Sequence, residues 1–166
     1  MRKLLLCLLL TVAGCHQAAV KQGYIRETAV HPFPEASEVW LLVGEPEYTL
    51  RDGVPIHPGK PGRLLTPEQR RQFEALLKVL TPVDLSPQES REFGAMAACF
   101  IPHHFFQYFD AKGHQIGEIA VCFCCGGIEM TPDRLNLKDD RVFSVNYAKL
   151  EPLVQSWGER TNIDCD

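Results

Sequence analysis

Between Cys99 and Cys125 two aromatic and β-branched stretches flank one polar break, Asp110-Ala111-Lys112-Gly113, and no other feature constrains the fold as tightly. Runs of this kind around a glycine-containing break read as a β-hairpin. A three-residue loop closes it, because Gly113 supplies the positive φ of a G1 bulge, whereas a two-residue type I′ turn would force positive φ on Ala111 and Lys112. Asp110 then opposes His114. Carried along the ladder, that register sets Cys99 against Cys125 and His103 against Val121, and puts Cys99, His103 and Cys125 on the face of Ile101, Phe105, Ile119 and Phe123. Cys122 falls on the other face unless the ladder ends or bulges at Phe123 or Cys124, and one slip of register aligns Cys99 and His103 with Cys122 and Cys124 instead.

Around the hairpin the patterning is shorter in range. Val39 to Val43 is a β-prone run bounded by Gly44 and Pro46, with Tyr48, Thr49 and Leu50 extending or pairing with it. Asp52 to Gly62, with three prolines and three glycines, reads as loop. Thr66-Pro67-Glu68-Gln69 carries an N-cap hydroxyl, proline at the first helical position and a capping-box Gln. Phe73, Leu76, Leu77 and Leu80 follow at helical spacing, so a helix is expected to run as far as Thr81-Pro82. Ser86-Pro87-Gln88-Glu89 repeats the capping signature before a shorter segment that ends near Gly94. Tyr147, Leu150, Leu153, Val154 and Trp157 mark one face of a C-terminal helix with Gly158 as its stop. The expected fold class is α+β, a small antiparallel sheet with a central hairpin (about 100–124) packed against two or three helices.

The N-terminus reads as an address. Arg2 and Lys3 precede an apolar stretch from Leu4 to Ala13, which as a helix spans about 15 Å, half of what a bilayer core needs. Val12-Ala13-Gly14-Cys15 resembles the lipobox of bacterial lipoproteins. That resemblance implies cleavage before Cys15, lipidation of its thiol, and stable anchoring through more than one acyl chain. His16 at the next position, where Asp is absent, resembles the pattern sorted to the outer membrane in Gram-negative cells, with the domain facing the periplasm. The division expected is signal peptide 1–14, lipidated cysteine and flexible tether 15–37, and one domain 38–166.

With 45% hydrophobic and 23% charged residues the chain has the composition of a globular domain, not of a disordered polymer. Seventeen Lys and Arg against twenty-one Asp and Glu leave no basic excess for nucleic acid. The partners expected are the membrane, through the lipid, and a protein of the envelope.

Seven cysteines in 166 residues raise three chemistries: disulfides, a metal site, or thiol redox. For metal, Cys99, His103 or His104, Cys122 and Cys125 would form a Cys3His set suited to zinc, and soft thiolates suit copper equally. For disulfides, export to an oxidising compartment favours a Cys99–Cys125 pair across the hairpin, and Cys124 with Cys165 as a second. For redox, the C-x-x-C from Cys122 to Cys125 ends a strand, where the pKa-lowering helix N-terminus of such motifs is missing. His31, His57 and His114 are isolated and read as solvated loop residues, while Phe105, Phe106, Tyr108 and Phe109 read as core and sheet surface.

Cys99-Phe-Ile-Pro-His-His104, Tyr108-Phe-Asp-Ala-Lys-Gly113 and Val121-Cys-Phe-Cys-Cys125 resemble an uncharacterised family of bacterial lipoproteins and periplasmic proteins. Its pattern runs C-[FY]-x-P-H-H, then D-x-x-G, then C-F-x-C. The resemblance spans Leu65 to about Trp157 and implies a shared site at Cys99, His103, His104, Cys122 and Cys125, with Cys124 and Cys165 as additions in this chain. It implies no activity. The reading reached is an envelope lipoprotein with no catalytic residues assigned, a structural or binding module with a disulfide-stapled Cys/His cluster. A zinc or copper module is the alternative, and a thiol redox protein the second.

Overall fold

The computed structural model describes residues 23–163 apart from 45–48, 58–61, 87, 90–99 and 139. Among the described residues the fold is mainly β, with ten strands in three antiparallel sheets and two short helices. This corrects the expected α+β class. The five-stranded sheet has the order β5 (Arg63–Leu64), β2 (Glu38–Val43), β7 (His104–Phe109), β8 (Gln115–Cys122) and β9 (Gly127–Thr131). A second sheet has the order β1 (Tyr24–Ala29), β6 (Leu77–Val83) and β10 (Val142–Val145), and β3 (Thr49–Arg51) pairs only with β4 (Val54–Ile56).

Two stretches contribute to the change of class, beside the unexpected strands β4, β5, β9 and β10. The helix α1 (Pro67–Glu74) forms as expected, with Thr66 and Gln69 exchanging both capping-box hydrogen bonds, but it stops at Ala75. The residues from Leu77 onward, expected to continue it, form strand β6 instead. Leu76, Leu77 and Leu80 satisfy a helical period, yet Leu77 and Val79 also alternate, and a short apolar run fits either geometry until a partner strand decides. Here β1 pairs one edge of β6 and β10 the other. The second stretch is the expected tether. Tyr24–Ala29 is a strand, and Phe33 is almost wholly buried, so ordered structure begins well before residue 38.

Phe33 lies where β8 has Gly117. A Cβ at that glycine would come within 2.1 Å of the Phe33 ring, so the ring occupies the space a side chain would need. The ring also meets Tyr108, the cross-strand partner of Gly117, with centroids 4.6 Å apart. This wedge joins a core that includes Val39, Leu41, Phe106, Ile119 and Val121 from the large sheet and Leu77 and Val145 from the small one. Phe73 of α1 stacks on Phe106 at 3.6 Å and 9°. Leu150 and Val154 of α2 (Tyr147–Ser156) complete the core, and α2 ends at Trp157 with Gly158 at φ 89°, the stop expected of it.

The central hairpin closes with the three-residue loop expected of it. Gly113 has φ 78°, and the Asp110 N–H donates to the His114 carbonyl at 2.9 Å. A bulge between Tyr108 and Phe109 then shifts the ladder by one, so that His104, not His103, faces Val121. The strands are also shorter than expected: β7 begins at His104 and β8 ends at Cys122. Both are buried along most of their length, because the helices and small sheet cover one face while the β3–β4 hairpin leans on the other. The loop expected from Asp52 to Gly62 thus contains β4 and the turn that returns to it.

Candidate functional site

The sequence pointed to the cysteine end of the hairpin. β8 and β9 are joined by a four-residue turn, Phe123 to Gly126, with Gly126 at φ 65° and Cys122 paired with Gly127. The turn brings Cys122 and Cys125 together, with their Sγ atoms 2.7 Å apart. Cys124, on the outside of the turn, is disulfide-bonded, and its Sγ lies 3.4 Å from the carbonyl oxygen of Ile163. Cys15, Cys99 and Cys165 lie outside the described residues.

The histidines do not join this pair. His103 precedes β7, and its Nδ1 donates to the Gly44 carbonyl at 3.0 Å. His104 lies on the helix-covered face with Phe106 and Tyr108; its Nε2 donates to the Arg160 carbonyl at 2.6 Å, and its ring meets the edge of Phe123 at 4.7 Å. The other nitrogen, His104 Nδ1, is buried without a hydrogen-bond partner among the described residues, as are the Tyr108 and Tyr147 hydroxyls. Burial holds the His104 imidazole below the ordinary histidine range against the opposing pull of the Arg160 carbonyl. Among the described residues no three His, Cys, Asp or Glu side chains converge as a metal site.

The Cys122 thiol is not poised for attack. Burial pushes the Cys122 thiol up, and the neighbouring Cys125 adds to the shift, so the thiolate that redox exchange needs is disfavoured. Tyr147 is driven up likewise, first by burial and then by the two cysteines beside it.

A second constellation was missed in the sequence. His57, read as a solvated loop residue, has a side chain only 2% exposed, and its Nε2 lies 3.1 and 3.0 Å from the two oxygens of Glu118, itself 4% exposed. Gln107, directly across the ladder from Glu118, donates its amide to the same carboxylate at 3.3 Å. The imidazole rests on Phe105 with centroids 4.0 Å apart. Strand alternation puts Gln107 and Glu118 on the face opposite the core, and the β3–β4 hairpin delivers His57 to them. Gln115 pins that hairpin by donating to the Pro55 carbonyl at 2.8 Å. The legible trace was two polar residues, Gln107 and Glu118, each interrupting an apolar strand; nothing in the spacing linked them to His57.

The hairpin leaves a cleft of about 670 Å³ against the sheet, lined among others by Arg51, His57, Gln107, Phe109 and His114. Beyond Gln107 and Phe109 it adjoins a smaller hollow of about 290 Å³ at Glu38 and Trp40. No family model, no curated protein and no solved structure matches this chain.

Proposed function

We propose that this chain is an envelope lipoprotein, anchored through Cys15, whose domain is a non-catalytic binding module with its cysteines as staples. The observation that carries the staple is the 2.7 Å approach of Cys122 and Cys125 while both candidate histidines spend a ring nitrogen on a backbone carbonyl. A bridge between those two sulfurs needs only a small adjustment of the turn. Cys165 is the partner proposed for Cys124, because Ile163, two positions before it, already lies against the Cys124 sulfur. From Cys15 to Tyr24 there are nine chain steps, at most about 30 Å fully extended, so the anchor would hold the domain close to the bilayer.

The test uses the full chain, expressed with its leader in a bacterial host and extracted in detergent without chelator. Bound metal, thiols free in denaturant, and the mass of the N-terminal peptide are measured together. A diacylated Cys15, no metal and at most one free thiol are expected. Stoichiometric zinc or copper with most thiols free overturns the staple in favour of a metal module, and an unmodified Cys15 overturns the anchor.

A further inference from the structure

We infer that the outer face of the five-stranded sheet binds a small organic cation, with an ammonium group held in the corner between Trp40 and Phe109. The two rings stand 6.5 Å apart at 70°, so they form adjoining walls of a box. The indole Nε1 donates to the Glu38 carboxylate at 2.9 Å, which fixes a negative charge at the rim and leaves the ring faces for a ligand. Aromatic faces attract ammonium groups through their negative quadrupole, and a carboxylate beside them strengthens the same preference.

Gln107 supplies the second, independent observation. It is 7% exposed, it borders both the hollow and the larger cleft, and its Oε1 accepts no hydrogen bond from any described residue. That oxygen is free to accept a hydrogen bond from a ligand hydroxyl on the cleft side. The surrounding charge favours a positive ligand: the carboxylates of Glu38, Asp52 and Asp110 edge the hollow and the cleft beside the guanidinium of Arg51, with the His114 imidazole 3.3 Å from Asp110. A neutral ligand would use the rings but gain nothing from the carboxylates. The site rests on the binding-module reading above and on neither the anchor nor the staples.

The full chain in detergent is titrated at constant ionic strength with choline and, separately, with 3,3-dimethylbutan-1-ol, its neutral carbon isostere. The Trp40 indole N–H and the Gln107 side-chain amide are followed by NMR. Saturable shifts of both signals with choline are expected, with the isostere about tenfold weaker, and with choline binding weakened as salt is raised. Glu38→Gln, on the exposed rim, is expected to weaken choline severalfold, and Trp40→Leu to abolish its binding while Trp40→Phe retains part. Equal affinity for the isostere, or no saturable shift with choline, overturns the site. Thiol and metal assays on the same sample separate the two readings. Free thiols with bound metal would remove the staples and leave a choline result standing, whereas staples without choline binding would remove only this site.

Discussion

Nε2 of His57 reaches the Glu118 carboxylate across 61 positions of chain, and both side chains are nearly sealed from water. Removing one member leaves the other buried without its main partner. Glu118→Leu is therefore expected to cost about 3–5 kcal/mol, and His57→Phe combined with it to cost clearly less than the two single changes added together. Urea unfolding of the four proteins checks this; strictly additive costs would show that the pair is not coupled.

The ring of Phe33 fills the space of an absent side chain at Gly117. Gly117→Ala should push that ring out of its slot and destabilise the fold by about 1–3 kcal/mol. Adding Phe33→Leu to it should cost less than Phe33→Leu costs in the native background, since the smaller side chain leaves room for the new methyl. Thermal unfolding of the four proteins decides, and an unchanged midpoint for Gly117→Ala rules out the wedge.

His104 links the fold to mild acid. Its folded-state pKa lies below the unfolded value, so as pH falls through about 6.5 the unfolded chain takes up a proton that the buried ring refuses. Stability is full above that pH and declines below it, by up to about 1.4 kcal/mol per pH unit until the folded pKa is passed. His104→Gln keeps a donor for the Arg160 carbonyl and should flatten this decline. Denaturant midpoints taken at about pH 7.5, 6.5 and 5.5 are the measurement, and parallel curves for the two proteins count against the assignment.

The Tyr108 hydroxyl is buried without a partner among the described residues, and burial raises its pKa well above the ordinary phenol range. Above about pH 10 the unfolded chain ionises this phenol and the folded chain does not, so stability falls as pH rises through that value. Tyr108→Phe removes an unmatched polar atom. It should be neutral or stabilising by about 1 kcal/mol at pH 7 and should lessen the alkaline decline. A clear loss of stability at pH 7 would mean that the hydroxyl is satisfied by a bound water.

What the sequence disclosed was local. The Asp110 to Gly113 loop, the Thr66–Gln69 box and the Gly158 stop each depend on residues within a few positions of one another, and each forms as read. The bulge at Tyr108 does not announce itself, and it was enough to move His104 into the place expected of His103. The fates of Tyr24–Ala29 and Leu77–Val83 were decided by each other, through pairing between residues far apart in the chain that no short window contains. At the candidate site the register set Cys99 against Cys125; the turn after β8 brings Cys122 to Cys125, and Cys99 lies outside the described residues. His57 was hidden because its partners come from strands on the far side of a separate hairpin.

The wedge of Phe33 over Gly117 also sets the path that a mechanical load takes through the molecule. A pull on the N-terminal end acts first on β1, an edge strand whose six residues are all exposed and which holds the domain through its pairing with β6. Beyond β1 the chain is held by the Val30 N–H bond to the Leu77 carbonyl and then by the Phe33 ring seated in the central sheet. A force on that end would thus reach β1 before Phe33, while Trp40 and Gln107 lie on the opposite face of the sheet from the wedge.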